Sequence, residues 1–275
     1  MSLPSLFVSH GAPTLAIEPC PARAYLQTLG PKLGRPDAIV MISAHHLSRG
    51  VAVTCDPMPE TIHDFDGFPS ELYSITYPAP GHPNLASDIV SMLSAEGFDA
   101  RLQGDRGLDH GAWVPLMLAF PRADIPIVQV SIDMTKSPQW HFRLGESLAP
   151  LREQNVLIIG SGSATHNLRE FFHGCFAIDA QPPDWVSKFA DWTADHLARG
   201  DFDAVLGAVE NGPYGDRNHP TIDHILPLFV AMGAGSGEDA LTLHRSTTYG
   251  VLAMDVYGFG GGSRFSNLLQ AESTG

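Results

Sequence analysis

Cysteine, positive charge and long apolar runs are all scarce in this chain of 275 residues. The three cysteines, Cys20, Cys55 and Cys175, are an odd number without close pairing. That excludes a cysteine-ligated zinc finger and suits a reducing compartment. Lysine and arginine together number 16 against 30 acidic residues, for a formal net charge of -14. Nucleic acid and anionic membrane surfaces reward clustered basic residues, so neither is an expected partner. No stretch reaches the roughly 18 apolar residues of a membrane span. The N-terminal MSLPSLFVSHG lacks the basic segment and apolar length of a signal peptide. A soluble cytoplasmic protein is the expectation. The short catalytic motifs are also missing: there is no HExxH, no CxxC and no GxSxG.

Histidine is what the chain does have, 13 residues in all. Three apolar runs read as short buried strands, and each is followed by a histidine: His10 after LFVS, His45 after AIVMIS and His166 after VLIIGSGSAT. His110 lies in GLDHGAW and His224 in HPTIDHILPL. Open α/β sheets place ligands beyond the carboxyl ends of their strands. Imidazole is the commonest metal ligand and the usual proton carrier near neutral pH. The pattern therefore predicts a metal or acid/base site assembled from distant segments. If the strands before His10 and His45 are neighbours, both rings project over one sheet edge. The small residues in Ser9-His10-Gly11, Ser43-Ala44-His45 and Gly160–Ser163 leave room for a ligand.

Strand-like runs cover Ser5–Ser9, Ala38–Ser43, Val51–Thr54, Ile125–Ser131, Val156–Ser161, Leu241–His244 and Gly250–Tyr257. Helical patterns cover Ala22–Leu33, Asn84–Glu96, Ser137–Leu151, Trp185–Arg199, Phe202–Asn211 and Thr221–Met232, the last with Thr221 as its N-cap and His224 in its first turn. This alternation predicts an α/β fold, a single three-layer α/β/α domain over residues 1–260 with a central mixed sheet, and a loosely held tail over 261–275. The Pro-, Gly- and aromatic-rich stretch Asp56–Pro83 reads as a functional loop, with Phe65, Phe68, Tyr73 and Tyr77 as candidate walls for an aromatic ring.

Other features carry blander readings. GSGS lacks the lysine of a phosphate loop, and Ser161 and Ser163 lack a nucleophile elbow. His46 reads as structural. His173, His196 and His244 read as surface residues, and His63 and His82 as solvent-exposed residues flanking the loop. Asp223 competes with His224, because two histidines and one carboxylate are a common Fe(II) set.

Six segments in order, SHGAP, SAHH, DFDGFPSELYSITYPAPG, GLDHGAWVPL, GSGSATHN and HPTIDHILPLFVAMGAG, resemble the DODA-type extradiol ring-cleavage dioxygenases, within the superfamily of the protocatechuate 4,5-dioxygenase β-subunit. The resemblance implies a non-haem Fe(II) site, in which Zn(II) is often found instead. It implies that His10, His45 and His224 bind the metal. It gives His166 as a fourth ligand or the acid/base, and His110 a place beside the substrate. A catechol and O2 would be the partners, a hydroxymuconic semialdehyde the product, and a monomer or small homo-oligomer the active form. Two positions depart from the pattern: His46 replaces the usual Trp, and Asp223 the usual Glu. The alternatives are a zinc-dependent hydrolase on the same scaffold, using a metal-activated water, and a binding protein that retained only the fold.

Overall fold

The computed structural model describes residues 2–174 and 176–261. Cys175 and all but the first residue of the expected 261–275 tail lie outside them; Cys20 and Cys55 are free thiols. The strands are β1 (Ser5–Ser9), β2 (Ala38–Ser43), β3 (Val51–Thr54), β4 (Ala100–Gln103), β5 (Ile127–Gln129), β6 (Val156–Gly162), β7 (Ala240–His244), β8 (Thr247–Thr248), β9 (Leu252–Ala253) and β10 (Val256–Phe259). The helices are α1 (Pro21–Leu33), α2 (Pro83–Ala95), α3 (His110–Ala119), α4 (Pro138–Leu148), α5 (Leu168–Gly174), α6 (Asp184–Ala198), α7 (Phe202–Leu206), α8 (Ala208–Asn211), α9 (Gly215–Asn218) and α10 (Leu226–Ala234).

Six strands form a central mixed sheet in the order β5-β2-β6-β1-β10-β7. β5, β2, β6 and β1 run parallel; β10 is added antiparallel to β1, and β7 antiparallel to β10, at one side. β1, β2 and β6 are buried along their whole length. That is why they read as unbroken apolar runs rather than alternating ones. Helices α10 and α4 cover one face, and α3 backed by α1 covers the other. The result is the expected three-layer α/β/α arrangement.

Side-chain alternation along β6 shows how tightly the layers approach. A Cβ on Gly160 would lie 2.1 Å from the Pro227 carbonyl oxygen of α10, and one on Gly162 would lie 2.1 Å from the His224 carbonyl oxygen. Ser161, between them, faces the opposite layer and donates to the Gly111 carbonyl at 2.5 Å. The two glycines therefore admit backbone on the α10 side; they do not open space beside an imidazole, as the sequence reading supposed.

Several boundaries differ from expectation. β6 lies between β1 and β2, so the strands that precede His10 and His45 are not neighbours. Helix α3 has no amphipathic period because it is buried on nearly every side, with Trp113 fully enclosed. The 221–232 pattern becomes a turn followed by α10, whose chain enters at Leu226-Pro227. Thr221 does not cap it, and His224 precedes it. Gly207 divides the 202–211 segment into α7 and α8. The 250–257 run breaks into β9 and β10. No helix among the described residues is long and apolar enough to cross a membrane.

Candidate active site

The parallel strands end in register. Ser9 of β1 pairs with Gly162 of β6, and Ser43 of β2 pairs with Ser161. The chain leaving each strand therefore starts from one edge of the sheet. His10 follows β1 directly, and its backbone N–H donates to the Gly162 carbonyl. His45 sits in the turn after β2. That turn is held by Arg106, which donates to the His45 carbonyl at 3.1 Å and to the buried Asp109 carboxylate at 2.9 Å. Asp109 also accepts from Ser43 at 2.6 Å and caps α3 through the Ala112 N–H. It thus fastens the end of β2 to the helix that begins with His110.

Two further loops are joined by backbone. Ser163 N–H donates to the His224 carbonyl, and His166 N–H donates to the Asn218 carbonyl. His219 reinforces the junction by donating from Nε2 to the Ala164 carbonyl at 3.0 Å. These contacts bring His166 and His224 together with their rings stacked, centroids 3.4 Å apart and 8° from parallel.

All five singled-out histidines converge. His10 Nε2 lies 3.1 Å from His45 Nε2. The His224 ring centroid lies 5.4 Å from that of His10 and 4.9 Å from that of His45, and the His110 centroid lies 5.4 Å and 4.0 Å from the same two. Within this group, nitrogens of His10, His45 and His110 form one compact set, and His166, Asp223 and His224 form a second. The sequence reading assigned His224, not His110, to the His10–His45 pair. The structure groups the His110 nitrogen with that pair, and His224 with His166 and Asp223 beside it.

Hydrogen bonding determines which ring nitrogens are free. Ser161 gives its single proton to Gly111, so its oxygen accepts from His10 Nδ1 at 3.0 Å. His10 consequently carries its proton on Nδ1 and turns a lone pair on Nε2 toward His45. His224 donates from Nδ1 to Asp223, and His110 donates from Nδ1 to Asp64 at 2.9 Å. Asp64 also lies 3.6 Å from His45 Nδ1. This carboxylate-to-Nδ1 backing is the arrangement that orients metal-bound imidazoles.

Burial disfavours the charged form of His10, His45, His166 and His224. It pushes His10 well down and, assisted by the neighbouring His110, lowers His45 to about 3. Burial and His224 lower His166 to about 3. Burial also lowers His224 to about 4, against the raising effect of Asp223. Burial alone would raise the Asp64 and Asp223 carboxyls, but hydrogen bonds from His110 and His224 bring both below the usual carboxylate range. Imidazoles whose Nδ1 protons are held on His10, His110 and His224, with ionised carboxylates behind them, form a donor set that fits a divalent cation. Two nitrogens each about 2.1 Å from one ion, at angles of 90–109°, stand roughly 3.0–3.4 Å apart. The His10–His45 separation of 3.1 Å falls within that span.

His45, His110, His166 and His224 open onto a cavity of about 220 Å³. Its apolar walls come from Phe65 and Phe68 of the Asp56–Pro83 loop, from Leu168, Phe171 and Phe172 of α5, and from Leu252. Phe65 meets the His110 ring edge-on at 5.6 Å. Of the expected aromatic walls, Tyr77 is instead buried with its hydroxyl on the Phe120 carbonyl, and Tyr73 packs behind Phe65. The α5 wall was not expected from sequence, nor were Asp64, Asp109 and Arg106. The (i, i+3, i+4) spacing of Leu168, Phe171 and Phe172 was the available signal for α5. Among the residues read as bland, His46 is buried with Nε2 against Gln103, His82 caps α2, and His63 bonds the Ile75 carbonyl. His173 is exposed, His196 pairs with Asp201, and His244 stacks on Tyr25. A second cleft, of about 350 Å³, lies beside α1, where Arg35 and Arg122 are both paired with Asp124.

Comparison with known proteins gives the family. Residues 6–260 match the family model described as the catalytic LigB subunit of aromatic ring-opening dioxygenase. The chain is 39% identical over 260 residues to the 4,5-DOPA dioxygenase extradiol of Beta vulgaris, covering 93% of this chain and 96% of that protein. It is also 39% identical over 251 residues to the protein of the same name from Escherichia coli K12, covering 88% of each. The crystal structure of an uncharacterized Escherichia coli K12 protein, JW3007, superposes with a TM-score of 0.77 at 32% identity, covering 94% of this chain and all of that one. Matched along nearly its whole length, the chain belongs to the LigB family of aromatic ring-opening dioxygenases.

Proposed function

We propose that the protein is an extradiol dioxygenase that opens the ring of a catechol-type substrate with O2, using Fe(II) held by His10, His45 and His224. The observation that carries this reading is the approach of His10 Nε2 to His45 Nε2, 3.1 Å apart beside an aromatic-walled cavity. Without a cation the two nitrogens share at most one proton; with one, both can turn lone pairs to it as ligands. His224 is taken as the third ligand because it is backed by Asp223 and holds the place of the HPTIDH histidine in the family resemblance. When bound, the metal supplies a site for both catechol oxygens and an electron path from the ring to O2.

The protein's own groups supply the rest. His166 acts as the proton carrier rather than a fourth ligand. Its ring stacks nearly parallel on His224 with centroids 3.4 Å apart, so the in-plane lone pairs of the two rings run side by side rather than converging on one point. His166 borders the cavity and is placed to take a catechol proton and return it during O–O cleavage. His110, with its Nδ1 proton committed to Asp64, presents Nε2 on the substrate side and orients the diol. Phe65 and Phe68 form the ring-binding wall and keep water from it.

The zinc hydrolase and the fold-only binding protein have no observation in their favour, since the donor set is complete and the named relatives are dioxygenases. The test is anaerobic loading with Fe(II), followed by a catechol panel in an oxygen electrode. The expected result is O2 uptake matched one-to-one by a yellow ring-opened product. Iron bound at one per chain with no uptake across the panel would contradict the proposal.

A further inference from the structure

Three of the converging rings are oriented through Nδ1: His10 by Ser161, His110 by Asp64 and His224 by Asp223. His45 is the exception. The Asp64 carboxylate lies 3.6 Å from its Nδ1, beyond hydrogen-bonding distance. Its main chain is held at both ends instead. The His45 N–H donates to Ser43 Oγ at 3.2 Å, and Ser43 donates in turn to Asp109 Oδ1 at 2.6 Å. The His45 carbonyl accepts from Arg106 Nη2, which also donates to Asp109 Oδ2. The two oxygens of one carboxylate thus close a circuit around the His45 main chain. Asp109 is fully buried, and Arg106 is its ion-pair partner. Charge-assisted bonds to such a carboxylate are short and strong, so the circuit fixes the turn that carries His45.

The same residue controls the surface on which the His45 ring rests. Asp109 caps α3 through the Ala112 N–H, and the first turn of that helix carries His110, whose ring centroid lies 4.0 Å from that of His45. A Cβ on Gly111, in the same turn, would stand 3.0 Å from His45 Cδ2 and 2.4 Å from Ser43 Oγ. The start of the helix therefore abuts both the ring and the circuit that holds its main chain. We infer that Asp109, acting through Ser43 and Arg106, is the positioning residue for His45 and takes the place of the hydrogen-bonded backing that its ring lacks. The inference rests on His45 being a metal ligand, as proposed above, and adds what holds that ligand in place.

The test is Asp109→Asn and Arg106→Gln, alone and together, on the metal-free full chain titrated with Zn(II) against a chromophoric chelator. Asparagine keeps the size of the side chain and an oxygen for the Ser43 and Ala112 donors, but turns an NH2 toward Arg106, donor against donor. Arg106→Gln removes the guanidinium from a side chain partly open to solvent. Each single variant is expected to weaken Zn(II) binding about 10- to 100-fold. The double variant should fall below the weaker single one by no more than about twofold, because both act through one circuit. The visible absorption of the Co(II)-loaded protein should shift in both, a change that a loss of stability alone does not produce. Wild-type affinity with an unshifted Co(II) spectrum, whether or not the melting temperature falls, would overturn the inference, and so would losses that multiply in the double variant. If Asp109→Asn does not fold, Arg106→Gln decides by the same two readouts. His45→Ala separates the inference from the ligand assignment beneath it. Full metal binding there would remove the assignment itself. Metal lost in His45→Ala but held at wild-type affinity in Asp109→Asn and Arg106→Gln would overturn only the positioning role.

Discussion

His10 Nε2 faces His45 Nε2 at 3.1 Å, although the strands that deliver the two residues are separated by a third. β6 makes the meeting possible by being narrow where it passes between them. Gly160 and Gly162 occupy its α10 face, and on its other face the Ser161 hydroxyl oxygen accepts a hydrogen bond from His10 Nδ1.

If that pair and His224 hold the metal, the histidine substitutions separate into two classes. His10→Ala, His45→Ala and His224→Ala should each reduce metal content from about one ion per chain to below about a tenth, read by elemental analysis after gel filtration. His166→Gln and His110→Gln should retain the metal and lose kcat by about 100-fold, the range of a lost general acid or base. Metal retained in His224→Ala and lost in His110→Gln would assign the third ligand to His110.

Ser161 never meets the ion, yet it determines which His10 nitrogen is free. Ser161→Ala should weaken metal affinity by about 10- to 100-fold, the usual cost of losing an outer hydrogen bond to a liganding histidine. Competition against a chromophoric chelator measures this. Unchanged affinity would show that the Ser161 bond does not fix the tautomer.

Gly162→Ala tests the close approach on the opposite face. The added methyl would fall 2.1 Å from the His224 carbonyl oxygen, a backbone atom that cannot rotate away. Overpacking of this kind costs about 1–3 kcal/mol. Displacement of His224 should lower metal occupancy along with the melting temperature, and full occupancy at wild-type Tm would contradict the packing described.

The buried histidines also set the acid limit of stability. His45 and His166 at about 3, and His141, His219 and His224 at about 4, lie below the ordinary 6.5 because burial disfavours the charged ring. Below pH 6.5 the unfolded chain binds protons that the fold refuses, so stability falls with pH. Each such ring contributes up to about 1.4 kcal/mol per pH unit. The stabilisation is complete above pH 6.5 and is lost progressively down to the folded values near 3–4. Calorimetry of the metal-free protein should show Tm dropping steadily from pH 7 to pH 5. A flat profile over that range would contradict neutral burial.

The sheet was legible because β1, β2 and β6 are buried on both faces and so had to be written as apolar runs, and their following histidines stood out for that reason. Helix α3 was not legible. Enclosure on nearly all sides removes the polar stripe that marks a helix, and Pro115 inside it reads as a breaker. Asp64, Asp109 and Arg106 were missed for another reason. A lone carboxylate in a polar loop carries no period, and its role appears only when the fold brings a distant imidazole or guanidinium to it. The division of labour among the five histidines was likewise invisible in one dimension, since it depends on which Nδ1 protons Ser161, Asp64 and Asp223 hold.

The most direct test of the central claim is isotopic. Fe(II)-loaded protein is given 4-ethylcatechol under 18O2 in ordinary water, the reaction is quenched early, and the product is analysed by mass spectrometry. Ring opening by a dioxygenase predicts that both atoms of one O2 enter each product molecule, after correction for exchange of the aldehyde oxygen with solvent. Product oxygen drawn from water alone, or substrate consumed without labelled oxygen, would contradict the account.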